Sequence, residues 1–327
     1  MTIALRCIVL SAGHFIFVAP MQVRQFADGC EIAQPLLVRS VELHDEHLEL
    51  ILGDRTGSLP AVAGRGASAP CRAGAVVFVA GTLSGGRLVV HALRAAREGE
   101  YAPEDLYDGP ARELGQMESD LRELLGTVQN PHLRLLLSAV FADTWSGYRD
   151  APAAKRYHQA YRHGLLEHSL TVAQAVGAIS ATFPGIDRDV AVTGALLHDI
   201  GKLDAYEWGA GPISMSDHGR LHGEIALGYY RVRRTIERFD GFPAELAEAV
   251  LHIILSHHGS LAHGSPVVPC TREATLVHMI DNLGGKLGSF DRLEKELRAG
   301  ERWSAYDKAI GGGAYFAPRP DVEREAA

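Results

Sequence analysis

Near residue 100 the hydrophobic period of this chain changes, and that change limits what it can fold into. From Cys30 to Ala96 apolar residues come in short runs bounded by turn residues. Pro35-Leu-Leu-Val-Arg-Ser-Val-Glu-Leu43 and Leu48-Glu-Leu-Ile-Leu52 predict two strands, with a turn at Asp54-Arg-Thr-Gly-Ser58. Ala75-Val-Val-Phe-Val-Ala-Gly-Thr-Leu83 predicts a third, Ser84-Gly-Gly-Arg87 a hairpin turn, and Leu88-Val-Val-His-Ala-Leu93 its return. From Ala111 the spacing is helical: Leu121, Leu124 and Leu125, then Leu133, Leu135, Leu136, Val140 and Phe141, with Asn130-Pro131 dividing two helices. Strands first and helices afterwards predict an α+β, multidomain chain.

Several short strands with glycine turns in so small a region predict a small β-barrel of the OB type over residues 23–96. Such barrels often bind single-stranded nucleic acid on aromatic platforms. Here the clear strand aromatic is Phe78, with Phe15, Phe17 and Phe26 upstream, so the barrel's own residues argue only weakly for that use. Residues 97–150 read as a charged, Pro-containing linker and a helical segment. Residues 151–310 predict an all-α bundle, and 311–327, beginning Gly-Gly-Gly, a frayed tail. Residues 1–22 read as a poorly structured extension, with Met21 an alternative start to Met1; Ser11, Gly13 and His14 interrupt the run a signal peptide would need.

Composition excludes some functions. The formal charge of −8 is not that of a protein coating duplex DNA through phosphate contacts. Four scattered cysteines form no CxxC pair, so they read as reduced thiols of a cytoplasmic protein. No run approaches a membrane span. Sixteen histidines are many for 327 residues, and more than half fall between His158 and His278.

Five helices are expected in the bundle: Leu165 to Ile179, Asp189 to His198, Gly223 to Phe239, Pro243 to His257 and Arg272 to Leu297. Gly194-Ala-Leu-Leu-His-Asp-Ile-Gly-Lys202 stands out, because an apolar run ends in an imidazole beside a carboxylate. Burying that pair is costly unless a partner or a metal holds both. The other helices supply partners: His168 on the first, His222 and Glu224 at the head of the third, His257 and His258 closing the fourth, Asp281 on the fifth. One such histidine is more often a satisfied core residue than a ligand; five helices each carrying one or two metal-type groups are not explained that way. A donor set of His, Asp and Glu without thiolate favours Mn²⁺, Mg²⁺, Fe²⁺ or Co²⁺ over structural zinc. These seven or eight candidates are too many for one ion and suit two divalent ions bridged by Asp199, a cage able to stabilise attacking and leaving oxygens in phosphoester hydrolysis.

The order H…HD…H…HH…D is similar to the signature of the HD superfamily of metal-dependent phosphohydrolases. Tyr101-Ala-Pro-Glu-Asp-Leu, Asn130-Pro-His-Leu-Arg, Gly164-Leu-Leu-Glu-His168, the Gly194–Lys202 run, Ile254-Leu-Ser-His-His-Gly259 and Ile280-Asp-Asn-Leu283 extend the likeness, over about Glu31 to Arg298, to the YhaM-type 3′→5′ exoribonucleases. The resemblance implies an N-terminal OB-fold joined to an HD domain over 151–310. It implies trimming of single-stranded RNA, and of single-stranded DNA, from the 3′ end to 5′-mononucleotides with Mn²⁺ foremost, and it admits a homo-oligomer. By position it implies that His168, His198, Asp199 and Asp281 hold one ion, and Asp199, His257 and His258 the second. The family's Gly-His-Ile at the third helix is here Gly223-Glu224-Ile225, which leaves either Glu224 or His222 to complete the second site.

Asp199 and Lys202 are the expected catalytic residues, Lys202 reaching a phosphate oxygen or, as the plainer alternative, lying exposed at a helix end. His163, Arg162, His222 and Arg220 are candidate substrate contacts, with solvated surface residues as their alternative. Two other functions stay open: an HD phosphohydrolase acting on a nucleotide or cyclic nucleotide, and a non-catalytic binding protein with a structural metal.

Overall fold

A computed structural model describes residues 21–64, 71–110, 112–155, 159–208, 213–297 and 301–317. The expected extension, apart from Met21 and Gln22, lies outside them, as does residues 318–327 of the expected tail. The chain divides into two compact units. One holds the described residues up to Asp108 together with those from Asp291; the other is Gly109–Phe290.

The first unit is built on a closed five-stranded barrel of β1 (Glu31–Leu43), β2 (His47–Asp54), β3 (Gly57–Gly64), β4 (Val76–Ser84) and β5 (Arg87–Ala95), in the order β1-β2-β3-β5-β4. β1 is long enough to serve two partners. Its first half, Glu31 to Leu37, pairs with β4, and its second half, from Leu37, pairs with β2 past a bulge between Val38 and Ser40. Bulges bend a strand and so help a small sheet close. Closure comes from the parallel pairing of β3 with β5, Ala61 opposite Leu88. Alternation does the filling: Leu50, Leu52, Leu59, Ala61, Ala63, Val77, Val79, Leu88 and Val90 all point into one core.

β3 was not among the expected strands. Pro60 cannot donate to a ladder, yet it pairs opposite Ile51 and the segment alternates buried and exposed along most of its length. The expected turn at Asp54–Ser58 therefore narrows to Arg55 and Thr56, where the Asp54 carboxylate accepts from the Thr56 and Gly57 amides. A short helix α1 (Pro103–Leu106) follows the barrel. The segment expected to fray from residue 311 is tied down as far as it is described. Asp307 bonds to Gly312 through its backbone and accepts from the Ala309 and Ile310 amides through its side chain, and Phe316 donates to the Arg302 carbonyl.

The second unit is helical: α2 (Leu114–Thr127), α3 (Pro131–Asp150), α4 (Gly164–Ser180), α5 (Arg188–Leu197), α6 (Lys202–Ala205), α7 (Asp217–Ile236), α8 (Ala244–Ser256) and α9 (Arg272–Glu296), whose last residues from Asp291 belong with the first unit. A two-stranded ribbon of β6 (Tyr206–Glu207) and β7 (Ser214–Met215) precedes α7. Helix starts are capped as the sequence allows: Asn130 accepts from His132 and Leu133 ahead of α3, Asp187 from Asp189 and Val190 ahead of α5, and Ser216 from Gly219 in α7. α7 begins six residues before the expected start at Gly223. Gly223 sits inside it as a kink with φ of 73°, a conformation that suits glycine.

One core joins α2 and α3, the helical segment expected after the linker, to α4, α5, α8 and the first part of α9. From Val190 to Leu197 every residue of α5 is buried, and α4 is buried over most of its circumference. Helices apolar all round belong in the middle of a bundle, and a polar side chain on them must find a partner inside.

Candidate metal centre

The polar exceptions on these central helices converge. His168 stands in the first turns of α4, and His198 and Asp199 directly follow α5. His257 and His258 follow α8, and Asp281 lies on α9. His168, His198, Asp199 and His257 are all buried.

Local geometry aims the rings. The last carbonyls of a helix lack intrahelical donors. His198 and His257 are the C-cap residues of α5 and α8, and each Nδ1 bonds the carbonyl three residues back, Ala195 at 2.7 Å and Ile254 at 2.8 Å. That bond places the proton on Nδ1 and leaves the lone pair on Nε2, facing inward. The same device appears in His258, whose Nδ1 bonds the His263 carbonyl at 2.9 Å. Two helix C-termini directed at one spot, with two carboxylates, make that spot attractive to cations.

The Nε2 atom of His168 lies 3.1 Å from His198 Nε2, 3.2 Å from Asp199 Oδ2 and 3.1 Å from Asp281 Oδ1. His198 Nε2 lies 3.2 Å from Asp199 Oδ2, and His257 Nε2 lies 3.5 Å from Asp199 Oδ1. Ligands about 2.0–2.2 Å from one ion stand roughly 3.0–3.5 Å from one another, so the spacing fits. His168, His198 and Asp281 form one such group of donor atoms, and His198, Asp199 and His257 another.

Asp199 Oδ1 and His257 Nε2 are both buried, and neither has a hydrogen-bond partner. Orphaned buried donors and acceptors are costly, and these two face each other. A divalent cation held by these residues would satisfy both.

The carboxylates are held ionised. Burial alone would raise Asp199, but Lys202, His198 and His168 drive it well below the usual carboxylate range. Asp281 is likewise depressed, chiefly by His168 and His198 working against burial. Burial would lower His168, but the Asp199 and Asp281 carboxylates win and push it up to about 9. A proton there does in the metal-free protein what a cation would otherwise do.

Lys202 is not exposed at a helix end. Its side chain is 13% exposed and its Nζ lies 2.5 Å from Asp199 Oδ2. Glu224 Oε1 stands 3.8 Å from His258 Nε2, beside the first two groups and not within them. His222 is exposed, stacks on His218 at 6.0 Å and belongs to neither group of donor atoms. Of the two alternatives for the second site, Glu224 is therefore the one brought near His258. Gly201 makes the approach of α7 feasible: a Cβ there would lie 1.9 Å from the Glu224 carbonyl oxygen.

The expected substrate contacts are scattered. His163 holds the position before α4 with φ of 70°, its Nδ1 bonding the Arg149 carbonyl at 2.7 Å. Arg162 pairs with Asp150 at 3.0 Å from a largely exposed side chain. Arg220 is exposed in the first turn of α7.

Three supporting residues escaped the sequence reading. Tyr206, raised by burial, feels the charges of Lys202, Glu224 and Asp199. His278 bonds the His257 carbonyl through Nδ1 at 2.7 Å. Glu167 is buried beside His168 and accepts from Tyr161 Oη at 2.5 Å. Tyr206 carries no motif, whereas His278 lies in the His278-Met-Ile-Asp-Asn-Leu283 stretch and Glu167 within Gly164-Leu-Leu-Glu-His168.

Residues 165–285 match the HD domain family. The chain is 29% identical over 219 residues to the 3′-5′ exoribonuclease YhaM of Geobacillus sp. (strain WCH70), covering 66% of each chain. It is 30% identical over 188 residues to the 3′-5′ exoribonuclease YhaM of Bacillus subtilis (strain 168), covering 57% of this chain and 59% of that one. The match thus spans a little under two thirds of the curated relatives. The solved p204 HINb domain matches 24% of this chain and 44% of its own at 20% identity and a TM-score of 0.19, too low to support an argument. Barrel, helical unit and sequence likeness agree: the chain is similar to the YhaM-type 3′-5′ exoribonucleases, and its residues 165–285 match the HD domain family.

Proposed function

We propose that this protein is a divalent-cation-dependent phosphodiesterase that shortens single-stranded RNA from its 3′ end, releasing 5′-mononucleotides. The observation that carries the metal dependence is the pair of orphaned buried atoms, Asp199 Oδ1 and His257 Nε2, facing each other between helix C-termini. The substrate and the direction rest on the likeness to the two 3′-5′ exoribonucleases.

In this reading His168, His198, Asp199 and Asp281 hold one ion, and Asp199, His257, His258 and Glu224 hold a second. Donors of nitrogen and oxygen without sulfur admit Mn²⁺, Mg²⁺, Co²⁺ or Fe²⁺, and the resemblance to the YhaM-type exoribonucleases puts Mn²⁺ first. Bound cations supply the Lewis acidity that phosphodiester hydrolysis needs at neutral pH. The chain's own residues do the positioning. Nδ1 bonds to backbone carbonyls fix His198 and His257. Lys202 lies beside Asp199, where its ammonium can turn to a non-bridging phosphate oxygen.

A 5′-labelled single-stranded RNA incubated with protein and Mn²⁺ should give a ladder shortening from the 3′ end, and EDTA should stop it. Single-stranded DNA of the same sequence tests the wider substrate range. One observation favours a smaller substrate: Phe78, the barrel's candidate stacking platform, is covered by the Arg94 guanidinium 4.4 Å from its centroid. Hydrolysis of free nucleotides or cyclic nucleotides with the RNA left intact would replace the exonuclease reading with that one.

A further inference from the structure

Metal-type side chains gather at one more place among the described residues, on the β1–β2 hairpin of the barrel: His44, His47 and Glu49. The hairpin register builds the group. Glu42 pairs opposite Glu49 and Leu43 opposite Leu48, and the His44 amide donates to the His47 carbonyl at 3.0 Å to close the turn. Side chains alternate along a strand, so Glu42 and His44 share a face with His47 and Glu49. The two imidazoles stack with centroids 5.0 Å apart and planes 17° from parallel.

Both rings turn their Nε2 atoms toward the same carboxylate. His44 Nε2 lies 3.8 Å from one Glu49 oxygen, and His47 Nε2 lies 3.7 Å from the other. Neither distance is a hydrogen bond. The three donor atoms all lie within 4.8 Å of one another, and ligands about 2.0–2.2 Å from a tetrahedral ion stand roughly 3.3–3.5 Å apart, so small rotations of exposed side chains complete a coordination site. Charge points the same way. Two carboxylates directly opposite each other across a ladder repel. Arg87, 3.6 Å from Glu49, offsets only part of that, and a cation on this face offsets more.

We propose that this hairpin face is a surface site for a borderline transition-metal ion, Zn²⁺, Ni²⁺ or Cu²⁺, ligated by His44 Nε2, His47 Nε2 and the Glu49 carboxylate, with Glu42 completing its negative surround. Two imidazoles and one carboxylate select these ions over Mg²⁺ and Ca²⁺, which take oxygen sets. The side chains are exposed or half-buried, so the ion enters from solvent without rearrangement of the barrel.

The test is Zn²⁺ titration by calorimetry on the full chain after EDTA treatment and buffer exchange. Wild type should take up one equivalent more than the His44→Ala/His47→Ala chain, and Glu49→Gln should weaken that extra site about tenfold or more. Cu²⁺ should give wild type an electron paramagnetic resonance signal with coupling to two imidazole nitrogens that the double variant lacks. Equal uptake by wild type and double variant, with no difference in the Cu²⁺ spectrum, would overturn the proposal. Circular dichroism in EDTA checks folding; should the double variant misfold, His47→Gln answers the same question, since it removes one nitrogen from the spectrum and leaves the turn backbone intact.

Discussion

Two groups of histidine and carboxylate side chains lie in this chain, and they differ in what holds them. On the barrel hairpin, His44, His47 and Glu49 are set by strand register alone and are open to water. In the helical unit, His198 and His257 are fixed by bonds to helix-terminal carbonyls, and His168 and Asp199 are buried with them. The difference teaches that donor composition does not define a metal centre. Water can satisfy every atom of an exposed group, so such a group keeps its shape with or without an ion. A buried group that leaves Asp199 Oδ1 and His257 Nε2 without partners has no such alternative. The electrostatics differ likewise. Around Asp199 and Asp281 both carboxylates are driven far below their ordinary range, and His168 is raised to about 9.

The largest test of this contrast is Asp199→Ala. It removes the acceptor shared by His168, His198 and Lys202 and should lower hydrolysis of labelled RNA by on the order of a thousandfold or more. Substitution of Glu49 on the hairpin should leave that rate within about twofold; a comparable loss there would erase the distinction between the two groups. Next in size is His278→Ala, which removes the bond to the His257 carbonyl and should cost about 10- to 100-fold in metal affinity, read by Mn²⁺ titration. An unchanged affinity would mean that the α8 terminus positions His257 unaided.

Gly201→Ala addresses packing. The new Cβ would meet the Glu224 carbonyl and the Gly228 amide, both backbone, so stability should fall by about 1–3 kcal/mol or more in urea denaturation. By comparison, Gly64, whose Cβ would meet nothing within 4 Å, should tolerate alanine within roughly 0.5 kcal/mol.

The smallest effects are in pH. In EDTA, His168 has a folded pKa above its ordinary 6.5. Its contribution to stability is therefore fully present below pH 6.5 and is lost as pH rises through about 9. Thermal melts in EDTA should show that loss, and His168→Gln should remove it. On the barrel, Glu100 has its carboxyl lowered to about 2 by hydrogen bonding to Arg94 and the Arg97 amide. Its contribution is present above pH 4.5, is lost as pH falls through about 2, and should weaken with salt because the pair is exposed.

Much of this architecture could be read from residue order. Alternation and helical spacing separated the barrel from the bundle, and apolar helices interrupted by His168, His198, His257 and Asp281 marked side chains that the fold brings together. What escaped depended on partners remote in sequence. Pro60 was readable as a strand residue only once β2 lay opposite it. The polar start of α7, Asp217 to His222, lacks an apolar stripe, although Ser216 offered a cap. Tyr206 and His278 lie against the cluster through partners remote in sequence, although His278 stands three residues before Asp281. The Gly311–Gly313 run reads as loose chain, but Asp307 closes a turn against it.

The most direct measurement is the Mn²⁺ content of the His44→Ala/His47→Ala chain, which isolates the buried centre, with and without Asp199→Ala. After equilibration with Mn²⁺ and exhaustive dialysis, the chain with Asp199 intact should retain stoichiometric metal and the Asp199→Ala chain should lose it. No retained metal with Asp199 intact, or equal retention in both, would contradict the assignment of the buried cluster as a metal centre.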